Sequence, residues 1–333
     1  HLSFSLNPIP HTKVNQYYDI YEIKESTSVK STSFSFEAFS MFKKLSKDAH
    51  IIHCQYPNPF SDLLYLLSGN NKPLLVTYQS DIIRQSILKF FYKPIENIFL
   101  GKAKKIITTS ENYFKSSDNL QKYKEKINII PICFDYKKYN DLEQNRLKAW
   151  KDKLPNKFFL FVGSFRYYKG LDYLVDSVLG KDINLVLIGN GEKYEQIKEK
   201  VYTTGANNIY ILNDVSEIDK IHIIHCCYGF VFPSNIRTEA YGISLLEAAA
   251  CGKPMITAEI NTGTTFINLH NKTGLVVKKS NTNELTKAMY TLLNDEKLTK
   301  KFGSNAKERI LREFDFDAYI RSYISCYAEI CET

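Results

Sequence analysis

Two carboxylates, Glu239 and Glu247, stand eight residues apart around the start of an apolar helical pattern. Gly242 lies between them, where a glycine lets the backbone approach a ligand and a helix N-terminus presents unpaired N–H groups to an anion. Carboxylates accept hydrogen bonds from hydroxyls, in which sugars and ribose are rich. The segment therefore predicts a site for both ends of a nucleotide-sugar and for the diphosphate between them. The alternative is an ordinary turn between a strand and a helix, with a partly exposed Glu on each side.

A second strand–turn–helix junction spans residues 161–170, with the sequence FVGSFRYYKG. Arg166 and Lys169 lie in its turn, and two cations beside a helix N-terminus suit a diphosphate whose negative charge grows as a bond to it breaks. A pair of exposed basic side chains in a loop is the alternative. Gly189 and Gly191 mark a third junction. A tight turn is its default interpretation, and close approach of a ligand to the backbone is the alternative.

Short β-branched runs alternate with helical patterns along the whole chain, which predicts parallel sheets and an α/β class. The length of 333 residues favours two domains. We expect two doubly wound domains whose strands face each other across a cleft at their carboxyl ends. The expected strands are 20–24, 50–54, 73–78, 105–109, 127–132, 158–163, 183–189, 208–213, 228–233, 254–258 and 274–278. The expected helices include 34–47, 59–68, 81–101, 111–118, 281–313 and 316–330.

The domain boundaries follow from changes in composition. Residues 135–150 are polar and typical of a connection between domains. We expect an N-terminal domain over 1–138, a C-terminal domain over 139–314 and a final helix over 315–333 that packs back on the first domain. The first 60 residues contain no glycine, so we expect the first domain to lack a glycine-rich nucleotide turn and to be incomplete at its start.

The net charge of +8 is concentrated in residues 1–150, which hold 21 Lys and Arg against 14 Asp and Glu. A basic half favours an anionic partner such as acidic lipid head groups, a phosphate-bearing acceptor or nucleic acid, although a solvated basic surface explains it too. No nucleic-acid-binding motif supports the last of these partners. The basic and apolar segment 82–105, which includes Arg84, is compatible with an anionic membrane. An amphipathic helix with its apolar side in the core is the slightly better explanation.

Two patterns resemble metal sites, and we interpret neither as one. Asp315 and Asp317 form a D-x-D pattern, but a helix N-cap explains it better. The His and Cys residues of 222–227 have no second ligand pair at zinc spacing, so we expect a packed structural role. We therefore expect no metal and no cofactor. The seven scattered cysteines, without a C-x-x-C pair, indicate reduced thiols in a cytoplasmic protein.

The chain as a whole resembles the retaining glycosyltransferases of family four, which have the GT-B fold. The matching pieces are HCQYPNPFSDLLYLL, VTYQSDIIRQ, ITTSENY and IIPICFD in the first half, and VGSFRYYKGLDYL, VLIGNGEKYEQI, FVFPSNIRTEAYGISLLEAAACGKP and NTGTTFINLHNKTGLVV in the second. They are colinear over roughly residues 50–315. The nearest likeness is to bacterial surface-polysaccharide mannosyltransferases.

The resemblance implies a role for each candidate residue. Arg166 and Lys169 would stabilise the leaving nucleoside diphosphate, and Glu239 would accept hydrogen bonds from the donor sugar. These three residues would form the catalytic set. The other donor contacts fall at Gly163, Ser164, Gly189, Gly191, Tyr241, Gly242, Ile243, Ser244 and Glu247, the last of them for ribose. Gln79 and Asp81 would lie on the acceptor side, in the N-terminal domain.

Two residues depart from the family pattern. Ser164 stands where the family has Arg, five residues before the lysine, so we expect Arg166 to reach the same anion instead. Gln79 stands where the family commonly has His, and Gln can hydrogen-bond a sugar hydroxyl but cannot exchange a proton. These departures keep open a degenerate homologue that binds a nucleotide-sugar without turnover.

The function that the resemblance implies is hexosyl transfer with retention of configuration by a cytoplasmic enzyme that can associate with the inner face of the membrane. We expect mannose from GDP-mannose as the transferred group and a lipid-linked or oligosaccharide acceptor in lipopolysaccharide O-antigen or other surface-polysaccharide synthesis. The departing phosphate would help to deprotonate the acceptor, so the two glutamates are not interpreted as the acid and base of a glycosidase. A nucleotide-sugar epimerase of the same architecture is the other enzyme that these features allow.

Overall fold

The computed structural model describes residues 1–5, 9, 11–24, 27–29, 32–82 and 86–332. The first elements in chain order are β1 Leu2–Ser5, β2 Thr12–Asn15, β3 Tyr18–Lys24, β4 Thr27–Val29, β5 Thr32–Phe34, α1 Phe36–Asp48, β6 Ile52–Tyr56, α2 Pro59–Leu67, β7 Leu74–Tyr78, α3 Ser86–Lys102, β8 Ala103–Thr108, α4 Glu111–Ser116, α5 Asp118–Gln121 and β9 Ile127–Ile129. They are followed by α6 Gln144–Lys153, β10 Phe158–Val162, α7 Leu171–Val178, β11 Asn184–Ile188, α8 Tyr194–Thr203, β12 Ile209–Leu212, α9 Glu217–Cys226, β13 Gly229–Phe232, α10 Ile243–Ala250, β14 Met255–Glu259, α11 Gly263–Ile267, β15 Gly274–Lys278, α12 Thr282–Asn294, α13 Glu296–Glu313 and α14 Phe316–Glu332.

The chain divides into two compact units. The first comprises His1–Thr108, Asp118–Ile129 and Ser322–Thr333, and the second comprises Thr109–Ser117 and Ile130–Arg321. The end of α14 therefore belongs to the first unit, and α4 belongs to the second although it lies in the first half of the chain. Each unit contains a parallel sheet, which confirms the α/β class.

The second unit is built on a six-stranded parallel sheet with the order β12-β11-β10-β13-β14-β15. The strands run outward in both directions from the pair β10 and β13, which is the order of a doubly wound nucleotide-binding sheet. All five residues of β10 are buried, because helices cover both faces of such a sheet. This order makes the gap between β10 and β13 the point where the winding direction reverses.

The first unit has a four-stranded parallel sheet with the order β6-β7-β8-β9. The predicted strand 20–24 exists as β3, but its described pairing is with β1 in parallel and with β2 in antiparallel fashion. A tight connection at residues 16–17 returns the chain from β2 directly onto β3, which explains the local pairing. The strands β4 and β5 form a separate two-stranded sheet.

Three predicted segments differ from the structure. The polar segment 135–150 was expected to be a connection, yet its second half begins α6 in the second unit. The predicted helix 281–313 is two helices, because Asp295 leaves the helical conformation and its carboxylate accepts a hydrogen bond from the Leu298 N–H at 2.9 Å. The predicted helix 81–101 is found as α3, while residues 83–85 lie outside the described residues. In the described parts of the chain, no helix has the length and apolarity needed to cross a membrane.

His53 connects the terminal helix of the first unit to its parallel sheet. Its Nδ1 lies 2.8 Å from the Tyr327 hydroxyl and its Nε2 lies 2.7 Å from the Thr77 hydroxyl. A neutral imidazole donates from one nitrogen and accepts at the other, which suits these two hydroxyls. Burial lowers the pKa of His53 to about 4, because a buried cation loses its hydration.

The low pKa of His53 predicts acid sensitivity of the fold. The unfolded chain takes up a proton near pH 6.5 and the folded chain only near pH 4, so this stabilisation is complete above the unfolded pKa and is lost as the pH falls. The free energy of unfolding of the parent, relative to that of His53→Phe, should therefore decrease by up to about 3 kcal/mol over this window. Urea unfolding of both proteins at a series of pH values measures the difference. A difference that does not change with pH would contradict the assignment of a neutral imidazole.

Candidate functional site

The two junctions singled out in the sequence follow neighbouring strands of the second unit. Leu160 of β10 is paired in register with Phe230 of β13, and the turn that begins at Gly163 follows the first strand, as the loop 233–242 follows the second. In doubly wound sheets, ligands bind at the carboxyl ends of the strands where the winding reverses. The predicted anion-binding residues therefore lie at the position in the fold where a ligand site is expected.

Lys169 and Glu239 form a buried ion pair at this position. The Lys169 ammonium donates to Oε2 of Glu239, and the Ser234 hydroxyl donates to the same oxygen at 3.1 Å. The ammonium also lies 4.6 Å from the centre of the Phe232 ring, a geometry in which the ring face attracts a cation. The lysine is thus held by a carboxylate on one side and by an aromatic face on another.

Glu247 lies on α10 and is anchored in the same manner. Its Oε1 accepts a hydrogen bond from the Tyr139 hydroxyl at 2.8 Å and from the Lys220 ammonium at 2.7 Å. Burial and the hydrogen bond to Glu247 raise the pKa of Tyr139, so its hydroxyl remains a donor at neutral pH. The carboxylate itself is buried.

The two glutamates share one arrangement. Each has a single oxygen that accepts from one lysine and one hydroxyl. Within the described chain, no hydrogen bond reaches the other oxygen of either carboxylate. An ionised carboxylate has about four acceptor positions, so each glutamate retains acceptor capacity for hydroxyls of a ligand. This arrangement fits a sugar at one carboxylate and a ribose at the other.

Gly242 lies between the two glutamates and is the N-cap residue of α10. Its φ of +93° belongs to the left-handed region, which glycine adopts without strain. A Cβ there would lie 3.1 Å from both Phe232 and Leu245. Ile243 and Ser244 form the first turn of the helix, exposed and half-buried respectively, and their N–H groups are at the end that attracts anions. The side chain of Tyr241 is buried, so only its backbone is suited to a ligand.

Arg166 and Ser164 are exposed residues of the turn after β10. Burial and Glu239 raise the pKa of the Tyr168 hydroxyl, and the charge of Arg166 opposes this shift. Arg166 and Glu239 are therefore both close enough to Tyr168 to act on it electrostatically. The two cations of this turn differ in exposure, because Arg166 is exposed and Lys169 is buried. The turn thus offers one buried, ion-paired cation and one exposed cation.

Gly189 and Gly191 have a packing function in this structure. A Cβ on Gly189 would lie 2.0 Å from the Gly163 carbonyl oxygen. The Phe165 N–H donates to the Asn190 carbonyl at 2.8 Å. The turn after β11 thus supports the turn after β10 by direct backbone contact. Their predicted contact with the donor stays a prediction.

Gln79 and Asp81 belong to the first unit, where they follow the carboxyl end of β7. Gln79 is exposed and its amide nitrogen donates to the Gln55 side chain at 3.0 Å. The Asp81 carboxylate accepts from the Tyr78 hydroxyl at 2.7 Å, and Tyr78 in turn accepts from Asn119 at 3.1 Å. Both side chains are therefore oriented by neighbouring polar groups, and Gln79 is accessible to a ligand.

The patterns that resemble metal sites have structural functions. The Asp315 carboxylate accepts from the Ala318 N–H at 2.8 Å, which confirms the predicted N-cap of α14. His222 accepts from the Glu143 N–H at 3.0 Å. No group of three His, Cys, Asp or Glu residues within the described ranges is arranged to hold a metal ion. Metal-independent chemistry stays a prediction.

Sequence reasoning missed Ser234, Tyr139 and Lys220, which orient the two glutamates. Ser234 directly follows the strand-like run that ends in Pro233, and a hydroxyl at that position was a usable signal. Lys220 and Tyr139 lie 27 and 108 residues from Glu247 and carry no local motif. Only the packing of α9 and of the segment before α6 against α10 brings them to it.

The comparisons with known proteins agree on one family. Residues 143–309 match the family model described as glycosyl transferases group 1, and residues 12–138 match the model described as glycosyltransferase family 4. The chain is 39% identical to the D-rhamnosyltransferase WbpZ of Pseudomonas aeruginosa, over 93% of this chain and 82% of the relative. It is 34% identical to the O-antigen chain mannosyltransferase C of Escherichia coli, over 99% of this chain and 89% of the relative.

Among solved structures, the Anabaena protein Alr3699/HepE in complex with UDP superposes with a TM-score of 0.77. It is 16% identical, and the match covers 93% of this chain and 86% of that one. Sucrose-phosphate synthase from Thermosynechococcus elongatus gives a TM-score of 0.78 at 20% identity, over 99% and 88% of the two chains. At these identities the likeness shows the fold, and it agrees with the GT-B expectation of two Rossmann-like domains.

The buried ion pair predicts strong coupling between Lys169 and Glu239. Removing one partner leaves an unpaired buried charge, so Lys169→Met and Glu239→Gln should each destabilise the protein by about 3 kcal/mol. The double variant should cost much less than the sum of the two, because neither charge remains. Urea unfolding of the four proteins measures this coupling. The partly exposed pair Lys200 and Asp176 is the matched control, with an expected coupling below about 1 kcal/mol. Additive effects at Lys169 and Glu239 would contradict a buried pair.

Proposed function

Because this chain belongs to the group 1 glycosyl transferases, we propose that it transfers mannose from GDP-mannose to a lipid-linked or oligosaccharide acceptor in surface-polysaccharide synthesis. The observation that carries the proposal is the pair of anchored glutamates on either side of Gly242, with Lys169 between a carboxylate and an aromatic face. Hydroxyl-accepting groups at both ends of an anion-binding turn suit a nucleotide-sugar. No simpler anion would need both carboxylates.

The proposed reaction uses these residues in separate ways. Glu239 accepts hydrogen bonds from the sugar and Glu247 from the ribose, while the N-terminus of α10 and Lys169 hold the diphosphate. As the bond between the sugar C1 and the diphosphate oxygen breaks, charge grows on that oxygen, and Lys169 and Arg166 stabilise it. The acceptor oxygen forms the new bond to C1 on the same face and gives its proton to the departing phosphate.

The sugar assignment rests on the relatives. One is named as a D-rhamnosyltransferase and the other as a mannosyltransferase. D-Rhamnose is mannose without the hydroxyl at C6, so both names describe sugars of the same ring configuration. A donor of the manno configuration is therefore the proposal that accounts for both similarities. The second name also supports an O-antigen chain as the acceptor.

A lipid-linked acceptor requires access to a membrane surface, and α3 of the first unit has a suitable exposed face. Phe90 and Phe91 are 77% and 70% exposed, and Ile98 follows two turns later on the same side of the helix. Burial and the nearby charge of Lys104 lower the pKa of Lys126, so cations cluster beyond the end of this helix. A helix with an exposed apolar face and with lysines beyond one of its ends suits an anionic lipid surface. We propose peripheral contact with the inner leaflet of the cytoplasmic membrane through this face.

The membrane proposal is tested with lipid vesicles. Replacing Phe90 and Phe91 together by Ser should weaken binding to vesicles rich in phosphatidylglycerol at least about tenfold, because each buried ring contributes roughly 1.5–3 kcal/mol. Co-sedimentation measures the binding. Tyr202→Ser is the control, since Tyr202 is an aromatic residue of the second unit that is even more exposed. Unchanged binding of the double variant would show that this face does not contact lipid.

The donor proposal is tested with a panel of nucleotide-sugars. A donor at 100 times its dissociation constant should stabilise the protein by about 2.7 kcal/mol, and we expect this for GDP-mannose but not for UDP-glucose. Thermal unfolding measures the shift. With a lipid-linked acceptor, Lys169→Met should lower kcat by about a hundredfold, while Lys200→Met should leave it unchanged.

The products separate the proposed reaction from its alternatives. Mannose joined to the acceptor supports transfer, and transfer from GDP-rhamnose alone would correct the sugar. An altered nucleotide-sugar formed without acceptor would identify an epimerase. Stabilisation by a donor without any product would identify a binding protein. If no nucleotide-sugar stabilised the chain, the proposed function would be wrong.

A further inference from the structure

A series of alternating charges leads from the surface of the second unit to Glu247. Lys138 donates to Glu217 at 3.0 Å, and Lys220 contacts Glu217 and Glu247 at 2.7 Å each. The side chains of Lys138 and Glu217 are about half exposed, whereas those of Lys220 and Glu247 are 16% and 9% exposed. The series thus ends in a carboxylate that is almost withdrawn from water.

Burial of Glu247 has a chemical consequence. A carboxyl group in an environment of low polarity favours its neutral form, unless a nearby cation or a hydrogen-bond donor stabilises the charged form. Within the described residues, Lys220 is the cation that contacts Glu247. A neutral carboxyl group carries a hydrogen on one oxygen and has less capacity to accept from the two hydroxyls of a ribose. The charge on Glu247 therefore depends on Lys220.

We infer that Lys220 is a positioning residue that keeps Glu247 ionised and holds its Oε1, so that Oε2 is left to accept hydrogen bonds from the nucleotide. Tyr139 completes the arrangement by donating to the same Oε1. The inference rests on the proposed function, because it assigns the ribose to Glu247. It adds a residue of α9 to the site, and neither the motifs nor the family resemblance indicated that residue.

The other groups that face Glu247 do not replace Lys220. Burial would lower the pKa of Lys220, but its hydrogen bonds to Glu217 and Glu247 raise it, so the lysine stays charged. Burial raises the pKa of Cys251, the C-cap residue of α10, and keeps its thiol neutral. Burial also raises the pKa of Tyr139 and keeps its hydroxyl neutral. Glu217 has the wrong charge to stabilise a carboxylate. Lys253 and Lys307 act on the charge of the neighbouring Cys251, but among the described residues Lys220 is the cation in contact with Glu247, so a variant without it leaves no compensating cation there.

Donor affinity as a function of pH tests the inference. The probe is the nucleotide-sugar that stabilises the parent most, which we expect to be GDP-mannose. A nucleotide-sugar suits a pH series, because its diphosphate has no proton to lose near neutral pH. Lys220→Met should bind it about tenfold more weakly at pH 6 than at pH 8.5, since Glu247 takes up a proton. The parent and Lys220→Arg should show no such dependence. The matched control is Lys200→Met, which also removes a lysine paired with a carboxylate. Lys220→Met combined with Glu247→Gln should bind weakly at every pH.

A measurement without donor separates this inference from the proposed function. In Lys220→Met, a proton bound to Glu247 in the folded state adds stability at low pH, and this contribution is lost as the pH rises. The free energy of unfolding of Lys220→Met, relative to that of the double variant, should therefore fall between pH 5 and pH 8. The difference in free energy of unfolding between the parent and Glu247→Gln should not change over this pH range. A flat difference for Lys220→Met would overturn the inference even if nucleotide-sugars bind. A pH-dependent difference would support the ionisation even if GDP-mannose does not bind.

Discussion

Burial of two carboxylates beside two lysines is the interaction on which the second unit and its site depend. A charge removed from water is costly, and the attraction to its partner offsets this cost only when the geometry is good and the remaining acceptor positions are used. Glu239 and Glu247 meet the first condition at one oxygen each, which accepts from one lysine and one hydroxyl, and the other oxygen of each carboxylate is left for hydroxyls of a ligand. The arrangement fixes both side chains before any substrate binds. Preorganised groups of this kind need no reorganisation during the reaction, which makes them effective in stabilising charge.

The strand order explains how residues distant in sequence reach these pairs. Lys169 and Glu239 are 70 residues apart, yet they follow two strands that lie side by side in the sheet. Right-handed crossovers carry the chain outward from β10 and then back to β13. The two turns at the carboxyl ends therefore lie next to each other, and the missing side chain of Gly189 lets a third turn pack against the backbone of the first one. The site is a consequence of the topology together with a few glycines.

Some of this could be predicted from the sequence and some could not. The junctions around Lys169 and Gly242 were predictable, because an apolar strand pattern followed by a glycine and a helical pattern indicates where the strand ends. That indication needs only neighbouring residues in the sequence. The contact between Lys220 and Glu247 was not, because it depends on how α9 packs and which of its faces turns toward α10. The polar pattern before Trp150 concealed α6 for a similar reason. That helix has no fully buried residue, so its sequence lacks the apolar stripe by which amphipathic helices are recognised.

The two cations of the turn after β10 differ in a way that bears on catalysis. Lys169 is buried and already ordered by Glu239 and Phe232, so its use in the reaction costs little additional entropy. Arg166 is exposed, and ordering a long side chain costs up to about 2 kcal/mol. That cost is recovered only when the negative charge to which it binds is large, as on a departing diphosphate. In the proposed reaction, Arg166 should therefore contribute more to the transition state than to the bound donor, whereas Lys169 should contribute to both. An arginine two residues beyond the usual family position can serve this purpose, because a flexible side chain tolerates the displacement that a buried lysine would not.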